Sequence, residues 1–193
     1  GVSAERLAKL FSIPFDDVVR TLAVTTQLNR QTADSSLSRN FGTNDCMVRY
    51  KQLDSSFFTD TMYVTAKAKS TRGNTCAQLF VSSKAFLIGY PMHDTKSYLN
   101  SLKTFAKEVG APRTLVCDAH PTQTKRKVRD FLAQIGTTLR VLEANTQWAN
   151  RAELYIGLLK EAIRKDMRET NSPLVLWDYC LERHVLIFQV TAK

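Results

Sequence analysis

The sequence predicts an α/β protein: a mixed five-stranded sheet with helices on both faces, preceded by a small helical segment. Three observations lead there. Three β-branched and aromatic runs follow one another between Ser55 and Pro91, which reads as an antiparallel meander. Helical and strand patterns then alternate, the order that adds parallel strands through helical crossovers. Gly110 and Gly136 stand where two of the helical patterns stop, as helix-terminating glycines do.

Taken in order, residues 1–24 read as two short helices. Ser3 is placed to cap the first ahead of Leu7, Leu10 and Phe11, and Ser12-Ile13-Pro14 separates it from the second. At this length a helical hairpin is favoured over a helix-turn-helix. Residues 25–52, polar and carrying Arg30 and Arg39, read as a linker or extension. The remaining 53–193 form the main domain. Its strands are expected at "SSFFTDTMYVTAK", "TCAQLFVSS", "AFLIGYP", "RTLVCD" and "TTLRVLEA". Its helices are expected at "HDTKSYLNSLKTFAKEVG", capped by Asp94 or Thr95, and at "TQTKRKVRDFLAQIG". Two more follow, the stretch from Asn145 to Met167 and a final helix with Pro173 in its first turn. A chain that begins at Gly1 and ends within a helical pattern reads as a piece of a longer polypeptide, truncated at its C-terminus.

Composition narrows the partners. The chain has 193 residues and 44% hydrophobic content, with mean hydropathy −0.23, enough for one substantial core. No apolar run approaches a membrane span. The net charge is +9 and the pI about 9.5, which favours nucleic acid over a membrane surface. Cys46, Cys76, Cys117 and Cys180 lack C-x-x-C spacing and read as reduced thiols of an intracellular protein. His93, His120 and His184 are too scattered to complete a zinc site with them. Any bound metal is therefore expected to be oxygen-ligated.

The stretch "NTQWANRAELYIGLLKEAIRKDM" poses the functional question. At roughly 100° per residue, Gly157, Lys160, Arg164 and Met167 all fall within about 40° of Glu153. Tyr155, Leu158, Leu159 and Ala162 form the expected core stripe opposite. A lone carboxylate thus shares a face with cations, which on an arbitrary helix is only a solvated face. Two other acids stand out by context. Asp60 is embedded in the first strand, where an unpaired carboxylate is costly. Asp118 ends the fourth strand, where α/β sheets place ligand-binding groups. Thirty-four residues separate Asp118 from Glu153, room for a helix, a strand and the return to the sheet. If the first and fourth strands are neighbours, Asp60, Asp118 and Glu153 converge. Converging carboxylates suit two Mg²⁺ or Mn²⁺ ions about 3.5–4 Å apart, as in phosphoryl transfer.

With these motifs in view, 53–177 resembles a retroviral-type integrase catalytic core of ribonuclease-H-like fold, and most closely the integrase region of a copia-type LTR retrotransposon polyprotein. "FFTDTMY", "LVCDAHPTQ" and "WANRAELYIGLLKEAIR" stand where that family has its three acidic motifs. "RTLAVTTQLNR" and "LSRNFGTNDCMVRY" are similar to the segment before the core. The resemblance implies Asp60, Asp118 and Glu153 as catalytic metal ligands and Lys160 as a DNA-contacting residue. It implies that Asn150 matches the small polar residue leading into the third motif. Metal-dependent 3′-end processing and strand transfer follow as the expected activity, on element ends and target DNA, in a homo-oligomer. Nuclear location, cytoplasmic virus-like particles, or both, are expected. Lys125, Arg126, Lys127 and Arg129 form a basic helix face near Asp118 that extends the DNA-binding set with Asn150, Lys160 and Arg164. His120 reads as structural, Trp148 as a core or hinge anchor and Trp177 as core. The chain departs from the family at Ala119-His120, at Trp148-Ala149-Asn150 and at Gly157. Two other readings stay open: a ribonuclease-H-like nuclease, which wants a further acid near the site, and a retroelement remnant that binds nucleic acid without catalysis.

Overall fold

A computed structural model describes residues 3–24, 50–64, 69–143 and 150–191. The chain divides into two units, 1–49 with 190–193 and 50–189. The first contains α1 (Ala4–Phe11) and α2 (Phe15–Val24). Ser3 caps α1, its hydroxyl accepting from the Arg6 N–H at 3.3 Å. Ser12, at φ 55°, turns the chain out of that helix, as an αL C-terminal residue does. Residues 25–49, with Cys46, and residues 144–149, with Trp148, lie outside the described residues.

The second unit is built on a sheet of five strands. These are β1 (Gln52–Tyr63), β2 (Cys76–Ser82), β3 (Leu87–Met92), β4 (Ala111–Cys117) and β5 (Thr138–Val141). Their order is β3-β2-β1-β4-β5. The first three pair antiparallel and β4 and β5 add in parallel, so the predicted mixed sheet is the observed one. Helices α3 (Tyr98–Glu108), α4 (Pro121–Thr124) and α5 (Arg126–Gln134) connect β3, β4 and β5. Helix α6 (Arg151–Glu169) and, up to residue 189, helix α7 (Trp177–Val190) complete the unit.

Strand alternation divides the interior into two cores. Phe57, Phe80 and Leu115 pack with Leu102, Phe105 and Leu132 on one face, where Phe80 stacks on Phe105 with ring centroids 4.4 Å apart. Met62, Leu79 and Val81 pack with Leu159, Ile163, Trp177 and Leu181 on the other. Burying each such side chain contributes about 1.5–3 kcal/mol. Gly110, at φ 134°, ends α3 where an added Cβ would collide with the Lys51 carbonyl. Only glycine tolerates that conformation at low cost.

Three expectations need correction. The helix expected from Thr122 to Gly136 is broken at Lys125, whose ψ is 149°. In one continuous helix Gln123 would point about 140° away from Val128, yet both are buried. The break lets each reach the interior. Second, Pro173 precedes a 3₁₀ turn (Leu174–Leu176) instead of lying inside the last α-helix. Third, the core face of α6 is Ala152, Ile156, Leu159, Ile163 and Met167, which keeps Leu159 of the expected stripe and packs Tyr155 against its edge. Leu158 is 42% exposed and Leu154 64%. The buried face is rotated by about 90° from the expected one. Asp166 is buried at the edge of that face, where Arg183 of α7 donates to it at 2.6 Å. Glu153 therefore flanks the buried face instead of opposing it.

Candidate active site

Asp60 lies in the middle of the sheet. On β1 it shares a face with Phe58 and Met62, the side on which α6 packs across β1 and β2. The last parallel pair between β1 and β4 is Thr59 with Cys117, so the next residues along each strand are Asp60 and Asp118. Their adjacency is thus dictated by register. Both open onto one cavity of about 340 Å³, which Tyr63, His120, Gln123 and Glu143 also line.

The carboxylates feel one another. Burial pushes the Asp60 carboxyl from 3.8 up to about 6; the Thr61 N–H opposes this, the charges of Asp118 and Glu153 add to it, and His120 opposes. The Thr61 N–H donates to Asp60 Oδ1 at 2.7 Å. Burial likewise pushes the neighbouring Cys117 thiol up to about 11, with Asp118 adding and Arg129 opposing. A thiol held that high is a core residue, not a nucleophile.

Glu153 stands in the first turn of α6, exposed, and its charge reaches Asp60. It does not line the cavity with the two aspartates. Among the described residues, no three His, Cys, Asp or Glu side chains are grouped as ligands of one ion. The donor set therefore fits a hard divalent cation in part. Two oxygen ligands sit at neighbouring positions, under mutual repulsion that a cation would relieve. The expected third acid is within electrostatic reach without completing a three-ligand group.

Asn150 is 2% exposed and caps α6. Its Oδ1 accepts from the Ala152 N–H at 3.1 Å, and its Nδ2 donates to Asp118 Oδ1 at 3.0 Å. Its polar atoms are directed into the protein. Of the four cations near Asp118, Lys125 sits at the helix break and Arg126 lies 3.8 Å from Asp130. Lys127 is exposed. Arg129 donates to the Thr124 carbonyl at 3.0 Å, and its charge is felt at the end of β4. Lys160 and Arg164 line a second cavity of about 340 Å³ with Met62, Tyr63, Met167 and Trp177. Tyr63 belongs to both cavities.

Sequence reasoning missed Glu143, Gln123 and Tyr63 as cavity residues and set His120 aside. The signal for His120 was its place two residues after Asp118. Its Nδ1 accepts from the Thr122 N–H at 3.3 Å, which puts the proton of the neutral ring on Nε2. Nothing local marked Glu143, which reaches the cavity through the strand topology alone.

No family model and no curated protein sequence matches the chain. Solved structures do. One is the simian T-cell lymphotropic virus intasome in complex with the PP2A regulatory subunit B56 gamma. It matches at 12% identity with a TM-score of 0.61 over 95% of this chain and 64% of that one. This chain thus spans just under two thirds of that protein. Another is the HTLV-2 integrase catalytic core domain in complex with magnesium, in a trimeric form. It matches at 13% identity with a TM-score of 0.54 over 71% of this chain and 86% of that one. The chain has the integrase-core fold. At these identities the likeness concerns the fold.

Proposed function

We propose that the chain is the integrase core of a retrotransposon of the copia type, joining element DNA to target DNA by divalent-metal-dependent 3′-end processing and strand transfer. One observation carries the reading: register places Asp60 beside Asp118 at the mouth of one cavity, with the charge of Glu153 in reach. Asp60 and Asp118, with Glu153, are the residues that would hold Mg²⁺ or Mn²⁺. When bound, the metal would supply charge stabilisation and activation of the attacking oxygen. The chain's own side chains bind and orient. Lys160 and Arg164 beside the second cavity, and Lys125, Lys127 and Arg129 beyond Asp118, hold phosphates. His120 lines the acid cavity and would donate there from Nε2. Element ends and target DNA would be the substrates, a homo-oligomer the working form, and the nucleus or cytoplasmic virus-like particles the place of action.

The experiment measures Mn²⁺-dependent joining of a labelled oligonucleotide end to plasmid DNA. Glu153→Gln keeps the side chain's shape and removes its charge, so joining should disappear while DNA binding persists. Joining that survives Glu153→Gln would refute the role of Glu153. A second reading has its own observation: Glu143 lines the cavity with both aspartates, supplying the further acid that a ribonuclease-H-like nuclease wants. Cleavage of an RNA–DNA hybrid without joining would favour it, and binding without either reaction would favour a non-catalytic remnant.

A further inference from the structure

We propose that Asn150 is a positioning residue that fixes the Asp118 carboxylate relative to the helix bearing Glu153. The inference rests on the reading of these acids as the reacting centre.

A helix cap needs only an acceptor. Ser3 does that work for α1 with one hydroxyl oxygen, and Ser, Thr, Asp and Asn serve almost equally well there. Asn150 does more. Its Oδ1 must face the Ala152 N–H, 3.1 Å away, and this fixes where the amide nitrogen points. Nδ2 then meets Asp118 Oδ1 at 3.0 Å and the Thr59 carbonyl at 3.4 Å. At 2% exposure these hydrogens have lost water, so both partners matter. Among the good capping residues only Asn carries an acceptor and two donors in one plane.

The consequence concerns all three acids. Thr59 is the residue before Asp60, Asp118 is bonded directly, and the Glu153 N–H donates to the Asn150 carbonyl at 3.0 Å. The side chain ties β1, the end of β4 and the Ala152 N–H in the first turn of α6, while the main-chain carbonyl holds the Glu153 N–H. The side chain also occupies one oxygen of Asp118 and leaves Oδ2 to face a cation or substrate. Side chains that orient ligating groups this way are worth about 10–100-fold in metal affinity or activity.

Asn150→Ser separates the two roles, because serine caps the helix but cannot donate to Asp118 and Thr59 as the amide does. The full chain, Asn150→Ser and Asn150→Ala are compared by urea denaturation, by joining kinetics and by Mn²⁺ titration followed by electron paramagnetic resonance. Asn150→Ser should match the parent in KM for DNA, lose stability because the Thr59 carbonyl and Asp118 Oδ1 lose a donor, and lose about 10–100-fold in kcat or Mn²⁺ affinity. Asn150→Ala should lose more stability still, because the cap goes as well, with no greater loss in kcat or Mn²⁺ affinity. A parent that joins DNA with Asn150→Ser equal to it in kcat and Mn²⁺ affinity overturns the proposal and leaves the integrase reading intact. A parent that does not join overturns that reading instead. The positioning role then stands on the Mn²⁺ titration, where equal affinity in Asn150→Ser, or no binding by the parent, defeats it.

Discussion

Replacing Asp60 by asparagine should make the protein more stable at neutral pH. The carboxyl lies within β1, and burial with the charges of Asp118 and Glu153 raises it from 3.8 to about 6. A carboxyl raised in the folded state favours folding below its unfolded value, and that contribution is lost as pH rises through the folded value. Above about pH 6 the charged group therefore costs stability. At about 1.4 kcal/mol per pH unit the gap sets a ceiling of about 3 kcal/mol. Asp60 is only half-buried, so solvent screening reduces this to about 1–2 kcal/mol. Asparagine keeps an acceptor for the Thr61 N–H and carries no charge. Urea denaturation at pH 7.5, read by far-ultraviolet circular dichroism, should show Asp60→Asn ahead by that amount. By pH 4.5 about two thirds of the difference should be gone, because the wild-type carboxyl is then mostly protonated in the folded state. Saturating Mn²⁺ at pH 7.5 should narrow the gap from the other side by stabilising the parent. A parent as stable as Asp60→Asn at pH 7.5, or a difference that does not change with pH, would refute the burial and charge repulsion that raise this carboxyl.

Two further outcomes test the surroundings. His120→Gln places an amide where Nε2 stands and His120→Asn one where Nδ1 stands; if Nε2–H contacts substrate, Gln should keep KM for DNA within about threefold while Asn raises it about tenfold, and the reverse pattern in steady-state joining would reduce His120 to a cap on α4. Replacing Lys125, Lys127 and Arg129 by alanine should flatten the dependence of log affinity on log salt by about 0.9 for each phosphate no longer neutralised; an unchanged slope in fluorescence anisotropy would remove this face from the DNA path.

The sheet was legible because its signals are local. Three β-rich runs and two crossovers marked the strands and their directions, but the neighbour of β4 stayed a condition; its parallel pairing with β1 is what makes Asp60 and Asp118 neighbours. The orientation of α6 was less legible. Tyr155, Leu158, Leu159 and Ala162 make a convincing apolar stripe, but Leu154 and Leu158 face solvent, and the buried face includes a polar residue, Asp166. Its partner Arg183 is 17 positions away on α7, beyond any periodicity within one helix. The break at Lys125 was hidden for the same reason. Gln123 reads as a surface residue from its local sequence, yet the fold buries it.

The same logic explains how the chain distributes the cost of three acids. Glu153 occupies the first turn of a 19-residue helix, where the unpaired amides and the helix dipole favour negative charge. Asp118 ends its strand at an open cavity and receives the Asn150 amide, so it has a donor of its own. Asp60 has the least help: it sits inside a central strand with one backbone N–H and two acidic neighbours. A lone carboxylate on a cationic helix face is therefore inexpensive at position 153, and the strain of the group collects at position 60. It follows that the three acids are not interchangeable under substitution. Removing charge at Glu153 or Asp118 should relieve Asp60 indirectly, with smaller gains in stability than Asp60→Asn itself, and that ranking is the mark of a site organised around the buried strand.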